Sequence, residues 1–155
     1  MHIELNEFEQ QLSKIMALVR RQNSETLPNM KIGKQDYWES ELNGCGAELA
    51  AARALNVYPD LRGAGIYLED LIYGEYTVDV KVTKYPNGKL IAPLIKKNKP
   101  CDYYILVVGM IPNYQVVGVA SAEMLISDDA IIDLGYGPTY GLNQNQLIPL
   151  EEWMC

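Results

Sequence analysis

A mixed α/β domain, α+β by some schemes, with helices flanking a mixed β-sheet is predicted by three observations. Leu5, Phe8, Leu12, Ile15, Met16 and Val19 recur at helical spacing. Residues 47–55 are alanine-rich, which favours helix and permits close approach to a sheet. Residues 76–84, 103–108 and 114–120 are strand-length runs rich in valine, threonine, isoleucine and tyrosine. At 155 residues and 48% hydrophobic, the chain fits one domain, 1–155, with a core of its own.

The elements follow in order. The first amphipathic helix is expected over 3–22, with Lys14, Arg20 and Arg21 near its end, where positive charge suits the helix dipole or a phosphate. Residues 23–35, with Pro28 and Gly33, connect; Lys31 and Lys34 there are solvated surface or contacts to a DNA backbone. A second helix spans 37–56, loosened at Asn43-Gly44-Cys45-Gly46, with Ala47, Ala51, Ala54 and Leu55 inward and Glu48 at its edge. Pro59-Asp60, Gly63 and Gly65 mark turns, and 66–73 reads as a short strand closing at Gly74. After strand 76–84, residues 86–89 turn, with Asn-Gly the favoured hairpin dipeptide. A basic loop, 96–100, precedes the continuously apolar 103–108, expected to be a central strand. Residues 110–113 turn into strand 114–120, and Ser121 caps a short helix with Glu123 in its first turn. The tail from Asp133 is loop-rich, and 147–150 packs back.

Composition narrows the function. A net charge of −7 argues against nonspecific coating of nucleic acid, which rests on phosphate neutralisation, but less against an enzyme with a local basic surface. Cys45, Cys101 and Cys155 are odd in number and far apart, and with His2 the single histidine they form no conventional zinc cluster. Reduced thiols and a cytoplasmic location are the expectation (host cytoplasm if phage-encoded). No apolar run approaches membrane-spanning length, and no basic stretch leads into an apolar one at Met1–Glu7, so no membrane association is expected.

The candidate site centres on strand 76–83. Period-two alternation puts Val78, Val80 and Val82 on one face and Thr77, Asp79, Lys81 and Thr83 on the other. Asp79 and Lys81 then project side by side, with Asp70 upstream and Glu48 on the second helix. A surface ion pair worth about 0–1 kcal/mol is the simplest account of the first two. Together with Asp70 and Glu48 they instead read as a magnesium site. Asp70 and Asp79 supply carboxylates, Val80 its carbonyl, and Glu48 a further carboxylate directly or through water; manganese suits the same oxygens. Lys81 either orients or deprotonates an attacking water, or stabilises the phosphoryl transition state. Glu69, Glu75 and Asp60 compete with Asp70 for the upstream position; Glu69 would point away from Asp70 in an extended chain. Lys96, Lys97 and Lys99 read as a solubilising loop or as backbone-phosphate contacts, and Tyr73 or Tyr85 as strand aromatics or base-stacking surfaces.

The order Glu48, Asp70, Asp79-Val80-Lys81, followed by 101–108 and 114–124, resembles the PD-(D/E)XK nuclease superfamily, in particular its small phage-associated or mobile-element members. The resemblance spans 44–126 and extends to 150. It implies a restriction-endonuclease-like core and a magnesium-dependent deoxyribonuclease leaving a 5′ phosphate. Glu48, Asp70, Asp79 and Lys81 would be catalytic, and DNA the partner, with a homodimer or larger DNA-processing complex as the assembly. Family members often carry proline before the aspartate, where this chain has Glu69; Pro59-Asp60 has that dipeptide. Two other readings accompany it: a nuclease-fold nucleic-acid-binding or accessory protein without catalysis, and an acidic protein-interaction module.

Overall fold

The computed structural model describes residues 1–24, 37–61 and 69–155, the side chains of residues 23, 24 and 37 excepted. The expectations on Pro28, Lys31, Gly33, Lys34, Gly63, Gly65 and residues 66–68 lie outside the described residues.

The segment expected to be one helix from residue 3 divides in two. Strand β1 (His2–Glu4) pairs antiparallel with β6 (Asn113–Ser121), and helix α1 (Glu7–Ser24) begins after Asn6. A capping box sets that boundary. The Glu9 amide donates to Asn6 Oδ1 at 2.9 Å, and the Asn6 amide donates to Glu9 Oε2 at 2.8 Å. The expected apolar stripe is only partly buried: Phe8 is 78% and Ile15 56% exposed, whereas Ser13, Met16 and Ala17 are buried. Helix α1 packs on α2 (Tyr37–Leu55), and small side chains let two helices approach closely. Small residues carry little hydrophobic signal, so the stripe read from large side chains was rotated from the buried one.

Helix α2 runs unbroken through Asn43-Gly44-Cys45-Gly46. Glycine serves close approach there, because a Cβ on Gly46 would collide with the Tyr114 hydroxyl. That hydroxyl donates to Asn43 Oδ1 at 2.8 Å, and Asn43 Nδ2 donates to the Gly109 carbonyl at 3.1 Å. Ala47, Ala50, Ala51 and Ala54 are all buried, so α2 lies between α1 and the sheet.

The main sheet has the order β1, β6, β5 (Tyr103–Met110), β3 (Tyr76–Thr83), β2 (Leu71–Tyr73), with β9 (Ile148–Pro149) also on β6. Strand β5 is central, as its apolar run predicts, pairing parallel with β3 and antiparallel with β6. The sheet is therefore mixed. Strand β2 forms a tight hairpin with β3 around Gly74, whose φ of +62° suits glycine.

The turn at 86–89 closes no hairpin. It carries the chain from β3 into β4 (Leu90–Ala92), which joins β7 (Ile131–Asp133) and β8 (Pro138–Leu142) in a second sheet of order β4-β8-β7. The tail from Asp133, expected as loop, thus supplies β8, the middle strand of a second layer, and the last residue of β7. Strands of three to five residues among glycines are too short for periodicity to register. Ser121 caps α3 (Ala122–Leu125) as predicted, accepting from the Met124 amide at 3.2 Å, and α4 (Leu150–Trp153) ends the chain's return.

Two cores result. Val78, Val80, Ile105, Val107 and Val116 face the helices, while Tyr104, Leu106 and Ala120 face Leu90, Ala92, Tyr140 and Leu142 of the second sheet. Each fully buried aliphatic side chain contributes about 1.5–3 kcal/mol. The domain is a mixed α/β structure with helices flanking a partly mixed sheet. Among the described residues, no helix is long and apolar enough to cross a membrane.

Candidate functional site

The site lies where β3 outruns its partner. Among the described residues, strand β2 covers β3 from Tyr76 to Val78. Beyond that point Asp70 continues the ladder with its own groups. Its amide donates to the Val78 carbonyl at 3.0 Å, and its Oδ2 accepts from the Val80 amide at 2.7 Å. The hairpin register ends at Leu71↔Val78, and Asp70 stands next to that last pair, bonded to both Val78 and Val80. The tight turn thus brings the Asp70 carboxyl within electrostatic reach of Asp79. Backbone groups alternate along a strand, so the Val80 carbonyl points to the same edge as its amide.

Asp79 belongs to the sheet face opposite Val78 and Val80, as alternation predicts, but that face is covered rather than solvated. Asp79 is 3% exposed. Lys81 Nζ lies 3.0 Å from Oδ1 and 2.8 Å from Oδ2, directed at Oδ1. Lys96 Nζ, from the 3₁₀ turn Leu94–Asn98, approaches Oδ2 at 3.3 Å. Oδ2 is therefore ion-paired and buried, yet it accepts no well-aligned hydrogen bond. A surface pair does not describe this geometry.

The electrostatics separate the two aspartates. Burial resists ionisation of Asp79, but Lys81 and Lys96 outweigh it and hold the carboxyl below its usual range. Burial holds the Asp70 carboxyl well above that range, with the charges of Glu48 and Asp79 adding to it. Burial alone would lower the Lys81 ammonium, yet Asp79 and Asp70 raise it. Two carboxyls pushed in opposite directions resist joint ionisation until a cation offsets the repulsion.

Glu48 is buried on α2 and acts on both aspartates electrostatically. Its two oxygens accept from Arg20 Nη1 and Nη2, each at 2.6 Å. This bidentate pair occupies both oxygens, so a direct ligand role for Glu48 would compete with Arg20. Burial raises the Glu48 carboxyl, against the opposing guanidinium. Arg20 itself sits inward at the spacing Ser13, Met16, Ala17, Arg20, the signal that marks it as a buried-face residue rather than a dipole-complementing one.

Asp70 opens onto a groove of about 560 Å³ shared with Tyr58, Asp60, Glu69 and Ile72. Asp60 and Glu69 therefore lie in the same groove, but Asp70 is the one the β3 backbone holds against Asp79. Lys97 and Lys99 of the basic loop are exposed, whereas Lys96 is turned inward. No local sequence signal distinguishes Lys96 from its neighbours.

Among the described residues, no three His, Cys, Asp or Glu side chains converge as a ready ligand set. Magnesium needs less than that: one or two carboxylates and a carbonyl suffice, with water completing the octahedron. Asp70, Asp79 and the Val80 carbonyl are hard oxygens of the class such an ion takes, and Asp79 Oδ2, though ion-paired with Lys81 and Lys96, is a buried acceptor without an aligned hydrogen bond. No protein-family model, curated protein or solved structure matches the chain.

Proposed function

We propose that this site binds Mg²⁺ or Mn²⁺ through Asp70, Asp79 and the Val80 carbonyl, and that the protein hydrolyses phosphodiester bonds in DNA on a restriction-endonuclease-like core. The observation that carries the reading is the Asp70 carboxyl, held by the Val80 amide beside Asp79, with Lys81 fixed on Asp79 and a groove outside. When bound, the cation supplies Lewis-acid stabilisation of the phosphoryl oxygens and a more acidic water. Asp70 and Asp79 orient that ion, and the β3 backbone fixes Asp70. The Lys81 ammonium donates to Asp79 Oδ1 at 3.0 Å; this favours orientation and charge stabilisation over proton abstraction. Glu48, neutralised by Arg20, shapes the field around both aspartates.

Purified protein incubated with linear, nicked, branched and single-stranded DNA in Mg²⁺ or Mn²⁺ tests this. Cleavage is expected to require the metal, to stop with chelator, and to fall at least about 10²-fold in folded Asp79→Ala and Lys81→Ala. Cleavage persisting in both variants overturns the site.

A second reading is a nuclease-fold nucleic-acid-binding or accessory protein without catalysis. The ion pairs favour it: both Glu48 oxygens are held by Arg20, and Asp79 is paired with two lysines. It predicts no Mn²⁺ binding that depends on Asp79.

A further inference from the structure

Two ammonium groups converge on one carboxylate oxygen. Lys81 and Lys96 stand 2.8 and 3.3 Å from Asp79 Oδ2, which accepts no aligned hydrogen bond from either. Their tethers differ. Lys81 leaves the same strand two residues on and touches both oxygens. Lys96 reaches across from a 3₁₀ turn behind Pro93, makes the longer contact, and is largely buried in doing so. Its neighbour Lys97 is exposed. The desolvation of Lys96 is costly, so its placement calls for a role beyond solubility.

We infer that Lys96 is the internal counter-ion that a divalent cation displaces from Asp79, and that the freed ammonium then serves the substrate phosphate. The inference rests on the cation reading above and deepens it. A doubly charged ion between Asp70 and Asp79 cannot share Oδ2 with two ammoniums without like-charge repulsion at close range. The looser of the two contacts is the one to break, which selects Lys96. Its stem then leaves the head group beside the metal, where a phosphodiester presents its negative oxygens. Lys96 is a positioning residue before binding and a phosphate contact afterwards.

The test is Mn²⁺ affinity, measured by electron paramagnetic resonance or calorimetry at fixed pH and ionic strength, with thermal melts confirming the fold. Lys96→Met is expected to bind Mn²⁺ roughly tenfold more tightly than the parent protein, because its competitor is gone. Lys96→Arg, which restores the charge, should return the affinity to within roughly twofold of the parent, and Lys97→Met should leave it unchanged. A merely structural Lys96 would give the opposite sign, since loosening Asp79 weakens binding. Should Lys96→Met fail to fold, Lys96→Gln carries the same comparison. If the parent binds Mn²⁺ through Asp79 while both neutral variants bind equally or more weakly, displacement is refuted and the cation reading survives. If the parent binds no Mn²⁺, both fall.

Discussion

The Arg20–Glu48 pair makes a strong demand on stability, and its removal is the sharpest test of the packing around the site. Arg20→Met keeps a long apolar stem but strips Glu48 of both hydrogen-bond donors, each now at 2.6 Å. The side chains are only 18% and 9% exposed, so water does not readily replace the guanidinium. Breaking a buried pair by deleting one partner costs about 3–5 kcal/mol. At about 2–4 °C per kcal/mol for a chain of this size, the melting temperature should drop by about 6–20 °C. Arg20→Met/Glu48→Met, which leaves no orphaned charge, should recover to within about 1 kcal/mol of the parent. The pH dependence has a definite sign. Burial already raises Glu48 against Arg20, and without Arg20 burial acts unopposed, with the charges of Asp79 and Glu41 adding to it. A carboxyl with a raised folded pKa keeps its proton where the unfolded chain releases it. The Arg20→Met deficit should therefore be smallest below about pH 4 and widen as pH rises through the folded pKa of Glu48. Chemical denaturation across that range measures it. A deficit under about 1 kcal/mol at neutral pH, the value of an exposed pair, would refute the reasoning. So would a double variant no more stable than the single one.

Two further outcomes are expected. Asp102 Oδ2 accepts from the Thr77 amide and hydroxyl, each at 2.8 Å, and these bonds hold its carboxyl below the usual range. That contribution is present above the unfolded carboxylate pKa and lost as pH falls through the folded one, so Asp102→Asn should show a shallower acid limb below about pH 4 in urea titrations; an unchanged limb contradicts the assignment. Burial pushes the Cys45 thiol up to about 12 and the Cys101 thiol up to about 11, whereas Cys155 is exposed. Ellman's reagent at pH 8 should label one thiol rapidly in the native protein and all three after denaturation, and rapid reaction at Cys45 or Cys101 would show these positions open to solvent.

What could be read from the chain followed from local rules. Alternation placed Val78 and Val80 opposite Asp79 and Lys81, and a tight turn at Gly74 was enough to bring Asp70 toward Asp79. The apolar run before residue 109 marked the central strand, and Ser121 marked a helix start. Longer-range facts were not legible. Whether the Asp79 face met solvent depended on β4 and the 3₁₀ turn that brings Lys96 over it, elements too short to declare themselves. Lys96 looks like any lysine of a basic loop until tertiary packing turns it inward. Arg20 did carry a signal, its spacing from Met16 and Ala17, but large residues elsewhere on α1 obscured it. The capping box at Asn6 and Glu9 was also written in the chain, and it explains why the helix starts at Glu7 and not at residue 3.

Asp70 has one more consequence, for self-association. A strand edge with free amides is a template for another chain, and charged side chains are a common means of blunting it. Among the described residues, β2 leaves β3 uncovered past Val78, and the Asp70 carboxylate takes the Val80 amide that an incoming strand would use. The residue proposed to hold the cation thus also guards the edge. Alanine at position 70 would remove both functions together, and the oligomeric state of such a variant, followed by light scattering, belongs beside its activity.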